Sequence, residues 1–327
     1  MRKFFIFLIA LVLLGSAGAG GYLLYQKFSK KEPVSAPKPE VIVSEKVRSP
    51  ILSFDGQKIW YLKESGKLFR RFIDTGVEEE YPLPEALSGA QEIIWQEEGS
   101  NFIVREQNRD RFYDFAKNSF TNYPKEQSET AFLEKQNKVV YIWSSAPGRF
   151  ELKTSSYDGQ NFEKIMDLPR PDYQLIVDPQ NRGVLLLAKK SSGGPEQALW
   201  LDLASRQGRT LKLSSGFIGA KFSHSGDKLA VVYLDKLEIT NILGQNPSIA
   251  TLNFENPGQI VWGQTGSHIM AATGDGIFKI DTKTMTVEKV TAVDMSALSP
   301  TNLLYHPSQN LLFFIDQNSG FLHKVSF

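Results

Sequence analysis

There is no cysteine among the 327 residues of this chain. That absence excludes disulfides, thiolate metal sites, cysteine nucleophiles and a lipidated cysteine, and it is compatible with an oxidising compartment. Charge of neither sign is in excess, with 37 lysines and arginines against 36 aspartates and glutamates. A nucleic-acid-binding domain usually carries a clear basic surplus, so no nucleic-acid partner is expected. Histidine is scarce: His224, His268, His306 and His323 lie far apart and make no ligand spacing. The chain also lacks a G-x-S-x-G elbow, an H-E-x-x-H helix, a P-loop and an EF-hand loop. Its glycine-rich stretch, residues 15–21, lies inside an apolar run with no strand before it, so it does not read as a phosphate loop. No catalytic residue, metal ligand or cofactor is implied.

What is present begins with the basic tail Met1-Arg2-Lys3, followed by residues 4–25 without a single charge and then by Lys27, Lys30 and Lys31. A helix rises about 1.5 Å per residue, so this run matches the roughly 30 Å hydrocarbon core, and residues 1–29 are expected to form a transmembrane anchor. A cleaved signal peptide is the alternative, with residues 4–14 as its apolar region and Ala17-Gly18-Ala19 as the cleavage site. The apolar run resumes at residues 22–25, which a removed peptide would not need. The short basic tail is expected to stay inside the cytoplasmic membrane and the bulk of the chain to be exported, periplasmic or extracellular. The small-residue pairs Gly15/Ala19 and Ala17/Gly21 would allow weak self-association of anchors, with tolerated glycine as the plainer account. Residues 30–40, KKEPVSAPKPE, read as an extended, semi-rigid linker.

From residue 41 onward no amphipathic helix pattern appears, and short apolar runs alternate with Gly, Asn, Asp and Pro turns. One unit recurs: an apolar strand, a turn ending in Gly or Asn, then a stronger apolar strand. It reads ILSFDGQKIWYL (51–62), IIWQEEGSNFIV (93–104), AFLEKQNKVVYIW (131–143), LIVDPQNRGVLLLA (175–188), AKFSHSGDKLAVVY (220–233), IVWGQTGSHIMAA (260–272) and LLYHPSQNLLFFI (303–315). The turn residues Gly56, Gly99, Asn137, Asn181, Gly226, Gly266 and Asn310 are spaced, by subtraction, 43, 38, 44, 45, 40 and 44 apart. A third and a more polar fourth strand follow in each unit. Four strands per such period is the pattern of propeller blades. The expected fold is all-β: a seven-bladed β-propeller over residues 41–327, preceded by one transmembrane helix. The seventh unit stops at Phe327 after its third strand, and the stretch 40–47 (EVIVSEKV) is expected to supply the fourth and close the ring.

The unit at 220–233 resembles the WD40-like repeat of TolB-type propellers through Phe222, Ser223, Gly226, Leu229 and Ala230, with Ser53 matching in the first unit. The Trp-Asp dipeptide of eukaryotic WD repeats is absent. The resemblance implies a protein-interaction platform of the cell envelope, periplasmic or surface-exposed. It brings no functional residue.

Loops between second and third strands share one face with the inter-blade loops. Their cations Arg105, Arg109, Arg111, Arg149, Lys189 and Lys190 would form a basic rim for an acidic partner, an anionic glycan or lipid headgroups. Glu106, Asp110 and Glu196 are interspersed, as on an ordinary solvated face. The leading expectation is a membrane-tethered, non-catalytic interaction or scaffold module with a protein partner in the envelope. The alternatives are a propeller hydrolase or lyase with channel carboxylates around a divalent cation, or a sensor for a sugar or peptide. Asp55, Asp178, Asp227 and Asp281 read as turn-tightening acids. The discriminating feature is whether three or more Asp, Glu, Asn or His side chains converge at one end of the channel.

Overall fold

A computed structural model describes residues 38–326 apart from 97–100, 108, 189–195, 243–248, 254–258, 274, 292–293 and 296. The expected anchor and nearly all of the linker lie outside the described residues, as do Lys189, Lys190 and Gly99. Among the described residues no helix is long and apolar enough to cross a membrane, and the helical element seen is the 3-10 turn Glu134–Gln136.

Seven four-stranded antiparallel sheets account for the strands. Each repeat unit folds into one sheet because its first turn reverses the chain tightly. Gly56, Gly226 and Gly266 take φ of +68°, +69° and +67°, and Asn137, Asn181 and Asn310 take +51°, +55° and +50°. Left-handed backbone is open to glycine and tolerated by asparagine, which is why those two types recur at the turn. The letters of the unit at 220–233 have a mechanical reading in blade 5. Ser223 is fully buried and accepts the Lys228 amide at 3.2 Å through its hydroxyl, Gly226 makes the reversal, and Leu229 and Ala230 are fully buried.

The first strands of the seven blades are Val47–Leu52, Glu92–Trp95, Gln127–Leu133, Tyr173–Val177, Gly219–Phe222, Gln259–Trp262 and Pro300–His306. Val47–Leu52 touches both Glu92–Trp95 and Pro300–His306, Gln127–Leu133 touches Tyr173–Val177, and Gln259–Trp262 touches Pro300–His306. First strands that meet first strands stand at the centre, so they wall a channel. Contact between the first and last of them shows a closed ring. The second strands carry the core, as in Gly183–Ala188, where all six residues are buried. Seven apolar clusters fill the blade interfaces, one per interface among the described residues. The cluster that joins the last blade to the first holds Ile59, Tyr61, Phe313 and Ile315.

The closing strand forms as expected, with Glu40 opposite Lys324, Val41 opposite His323 and Val43 opposite Leu322. It is shorter than the stretch 40–47. Only Glu40–Val43 pairs with Leu322–Ser326, and Val47 opens the first strand of blade 1. The crossover is fixed by the Val47 amide on the Gly320 carbonyl at 2.9 Å and the Glu64 amide on the Lys46 carbonyl at 3.1 Å.

His323 lies in this closing sheet, its ring stacked on Phe314 at 5.2 Å between centroids. Both ring nitrogens are buried without a protein hydrogen-bond partner, as is Nε2 of His268. Burial holds the His323 pKa below its ordinary value, with Asp316 acting in the opposite sense; burial and then Lys279 do the same to His268 against Asp281. A depressed imidazole resists a proton that the unfolded chain accepts near pH ~6.5, so stability is lost as pH falls through that range. The thermal midpoint is expected to drop between about pH 7.5 and about pH 5.5, before the carboxylates titrate, and His323→Phe should flatten the drop.

Candidate functional site at the channel mouth

The first strands run from the inter-blade-loop face to the hairpin-turn face, and alternate residues share a side. Two rows on one side meet the channel. Nearest the loops stand Glu92, Gln174, Gly219 and Gln259 by pairing register, with the unpaired bulge residues Ser49, Glu129 and Asn302 at that level in the other three blades; one step deeper stand Ile51, Ile94, Ala131, Ile176, Lys221, Val261 and Leu304. The mouth is therefore polar and the next layer apolar apart from one lysine.

Three mouth residues are placed by a common device. In blades 1, 3 and 7 the first-strand register slips between Arg48 and Ile51, Ser128 and Ala131, and Thr301 and Leu304. Each slip carries a non-glycine residue in the left-handed region: Ser49 at φ +48°, Glu129 at +50° and Asn302 at +52°. Such backbone costs about 1–3 kcal/mol, and bulges of this kind re-aim side chains. Ser49 also stitches blade 1 to blade 2: its hydroxyl accepts the Ile93 amide at 3.0 Å and its carbonyl accepts Trp95 Nε1 at 2.7 Å.

Two cavities open here. One of about 630 Å³ lies where blades 7, 1 and 2 meet, lined by Arg48, Ser49, Gln91, Glu92, Asn302 and Gln317 among others. The second, about 570 Å³, is lined by Glu92, Ile94, Arg105, Glu129, Asp172 and Gln174 from blades 2 to 4. Glu92 lines both.

Three carboxylates thus converge on one end of the channel, Glu92, Glu129 and Asp172, but they are not free. Arg105 Nη1 sits 2.8 Å from Glu92 and 3.5 Å from Glu129, and its Nε is 3.6 Å from the buried Asp110. Asp172 is paired with Arg170. Burial raises the Glu129 pKa, with Arg105 opposing and Asp110 and Glu92 reinforcing. Among the described residues no group of three or more His, Asp or Glu side chains is arranged to hold a metal ion. A cation entering the cavity would meet the guanidinium in their midst.

Arg105→Met leaves Glu92, Glu129 and Asp110 without their shared counter-charge. A group whose folded pKa is raised gains stability as pH falls, so this variant is expected to unfold more easily than wild type at neutral pH and to recover most of the deficit near pH ~5. Adding Glu129→Gln should restore neutral stability. A deficit independent of pH would refute the charge account.

Of the four described cations of the rim expected from sequence, two are spent inside the fold and two are exposed. Arg111 is buried, paired with Glu85 and with Glu106 at 2.5 Å, and stacked 4.6 Å from the Phe120 ring centre. Arg105 is held as above. Arg109 is exposed beside Glu106 at 3.4 Å, and Arg149 is exposed. The four turn acids stay on the opposite face. Asp55 accepts the Ser53 hydroxyl at 2.6 Å and the Gln57 amide at 3.0 Å; Asp227 accepts the Ser223 hydroxyl at 2.9 Å; Asp281 accepts the Lys283 and Thr284 amides. Asp178 is fully buried and held bidentately by Arg182 at 2.7 and 3.0 Å. Sequence reasoning missed Ser49, Glu92, Glu129 and Asn302. The inserted residue in three first strands was the available signal, and it shows only once the pairing register is known.

The chain is a seven-bladed β-propeller. No known family of sequences matches it, and no curated protein matches it. Solved structures do. The "Oligogalacturonate lyase in complex with manganese" superposes with a TM-score of 0.68 at 11% identity, covering 90% of this chain and 94% of that one. The "Myceliophteria_thermophila Cps50 (Swd1) beta-propeller domain" gives 0.62 at 10%, covering 89% and 99%. The "Kuenenia stuttgartiensis Hydrazine Synthase" gives 0.62 at 10%, covering 90% and 98%. A lyase, a hydrazine synthase and a Cps50 (Swd1) β-propeller domain stand side by side at these identities, so the likeness is one of fold alone.

Proposed function

We propose that this protein is a membrane-tethered, TolB-like propeller outside the cytoplasm that binds a protein partner across the channel-mouth face and does no chemistry there. The observation that carries this reading is the use made of the mouth's acids. Glu92, Glu129 and Asp110 surround Arg105. A carboxylate already paired to a guanidinium is a poor metal ligand and a poor general base, whereas a mixed-charge, hydrated surface suits a polar interface. The hydrolase or lyase reading would require Arg105 to leave. The tether rests on the uncharged run 4–25 and its basic flanks.

Photo-crosslinking residues placed at Gln91 and Gln317 in the full chain test the face, with Phe54, 84% exposed on the opposite face, as control. Adducts from the first two and none from Phe54 are expected; adducts from Phe54 alone would move the interface to the turn face. The exposed cations need a separate variant, Arg109→Glu/Arg149→Glu, because Arg105 and Arg111 are structural. The tether is tested by membrane fractionation before and after removal of residues 1–29. Recovery of the full chain in the soluble fraction would end that part of the reading.

A further inference from the structure

Six of the seven deeper channel positions are apolar: Ile51, Ile94, Ala131, Ile176, Val261 and Leu304. The seventh is Lys221. Its ammonium donates to the Ile260 carbonyl of the next first strand at 2.9 Å, and among the described residues no carboxylate lies within ion-pair distance of it. Water reaches the side chain, yet the surrounding protein desolvates the ammonium and holds its pKa below the usual lysine range. Lys221 is thus the one cation in the deeper row, and its ammonium lies against the first strand of the next blade.

The row above is open at the same blade. Where the other blades place Ser49, Glu92, Glu129, Gln174, Gln259 and Asn302, blade 5 has Gly219, and a Cβ there would meet no atom of the described residues within 4 Å; Gly216 is equally open among them. Ile218 and Leu234, 41% and 66% exposed, flank this gap at the same end of the blade.

We propose that the channel is a binding site for a small organic carboxylate, admitted over Gly219 and held by Lys221, with its apolar body against the ring of Ile, Val and Leu side chains. Lys221 has a carbonyl and no anion as its partner among the described residues, and six blades show that an aliphatic residue fills this position. An incoming monoanion supplies the missing counter-charge. Phosphate fits less well, because a dianion asks for several donors and the site offers one ammonium within an apolar layer. This ligand site is independent of the protein-binding reading above and stands or falls by a different measurement.

The probe is butyrate, titrated calorimetrically into the detergent-solubilised full chain, with inorganic phosphate as a second arm. Wild type is expected to bind butyrate at one site. Lys221→Met should weaken binding by about ten- to a hundred-fold, the worth of a charge-assisted hydrogen bond, while folding at least as stably as wild type. Gly219→Val, which has space and no left-handed backbone to strain, should block entry while Lys221 is retained. Absence of butyrate binding, binding unchanged in both variants, or a preference for phosphate would each overturn the proposal.

Discussion

Deletion of Glu40–Val43 is expected to destabilise the propeller by about 5 kcal/mol, from about 2 kcal/mol for burying Val43 and about 1 kcal/mol for each of several ladder hydrogen bonds. Val43 is 4% exposed and packs with Ile59, Tyr61 and Leu322 in the cluster that joins the last blade to the first. Without it the edge of Leu322–Ser326 is left unpaired and that cluster is opened. At about 2 °C per kcal/mol for a domain of this size, the thermal midpoint should fall by roughly 10 °C. A peptide carrying residues 40–47 added in trans should recover part of it. The opposite change tests the same joint. Glu40 and Lys324 face each other across the strand pair, and directly opposed residues stand about 4.5–5.5 Å apart, within disulfide range. The chain has no other cysteine to compete. Glu40→Cys/Lys324→Cys should therefore stabilise the ring under oxidising conditions, by about 3–5 kcal/mol on the loop-entropy account. An unchanged midpoint after the deletion would mean that the ring is held by blade packing alone.

The second large effect is a contrast between two glycines with the same backbone. Gly226 and Gly266 have φ of +69° and +67°, so alanine should cost each about 1–2 kcal/mol in backbone strain. Their surroundings differ. A Cβ at Gly226 would stand 1.7 Å from Oδ1 of Asp178 in the preceding blade and 2.5 Å from the Arg182 guanidinium, while one at Gly266 meets the Ser223 Cβ at 3.4 Å, ordinary contact. Asp178 is fully buried and cannot move aside without losing Arg182. Breaking a buried pair costs about 3–5 kcal/mol, so Gly226→Ala should lose about 3 kcal/mol more than Gly266→Ala in denaturant unfolding. Equal losses would show that the Asp178–Arg182 pair relaxes freely.

The contrast bears on the candidate site as well. Buried or half-buried charge in this protein is used mainly to fasten one element to another, as with Asp178–Arg182 on the turn face and Arg105 among Glu92, Glu129 and Asp110 at the mouth. Lys221 stands apart from that pattern. Its bond is to a carbonyl, and the ring around it is aliphatic.

Architecture was legible in the chain because its signals are local or can be counted. Left-handed turns demand Gly or Asn at one place per unit, strands buried on both faces demand continuous apolar runs, and a seventh unit one strand short demands a donor from the other end. Those three arguments led to seven blades and to the pairing of residues near 40 with residues near 324, and the structure has both. The linear chain does not show which charges are already spent. Arg105 is neutralised by Asp110, Glu92 and Glu129 on three different strands, Ser49 holds an amide 44 residues on, and Lys221 bonds 39 residues ahead. Ion pairing, inserted bulge residues and the isolation of one lysine depend on register and on the neighbouring blade. Only the folded ring decides them, because each is a relation between paired strands or neighbouring blades, and the linear sequence states neither.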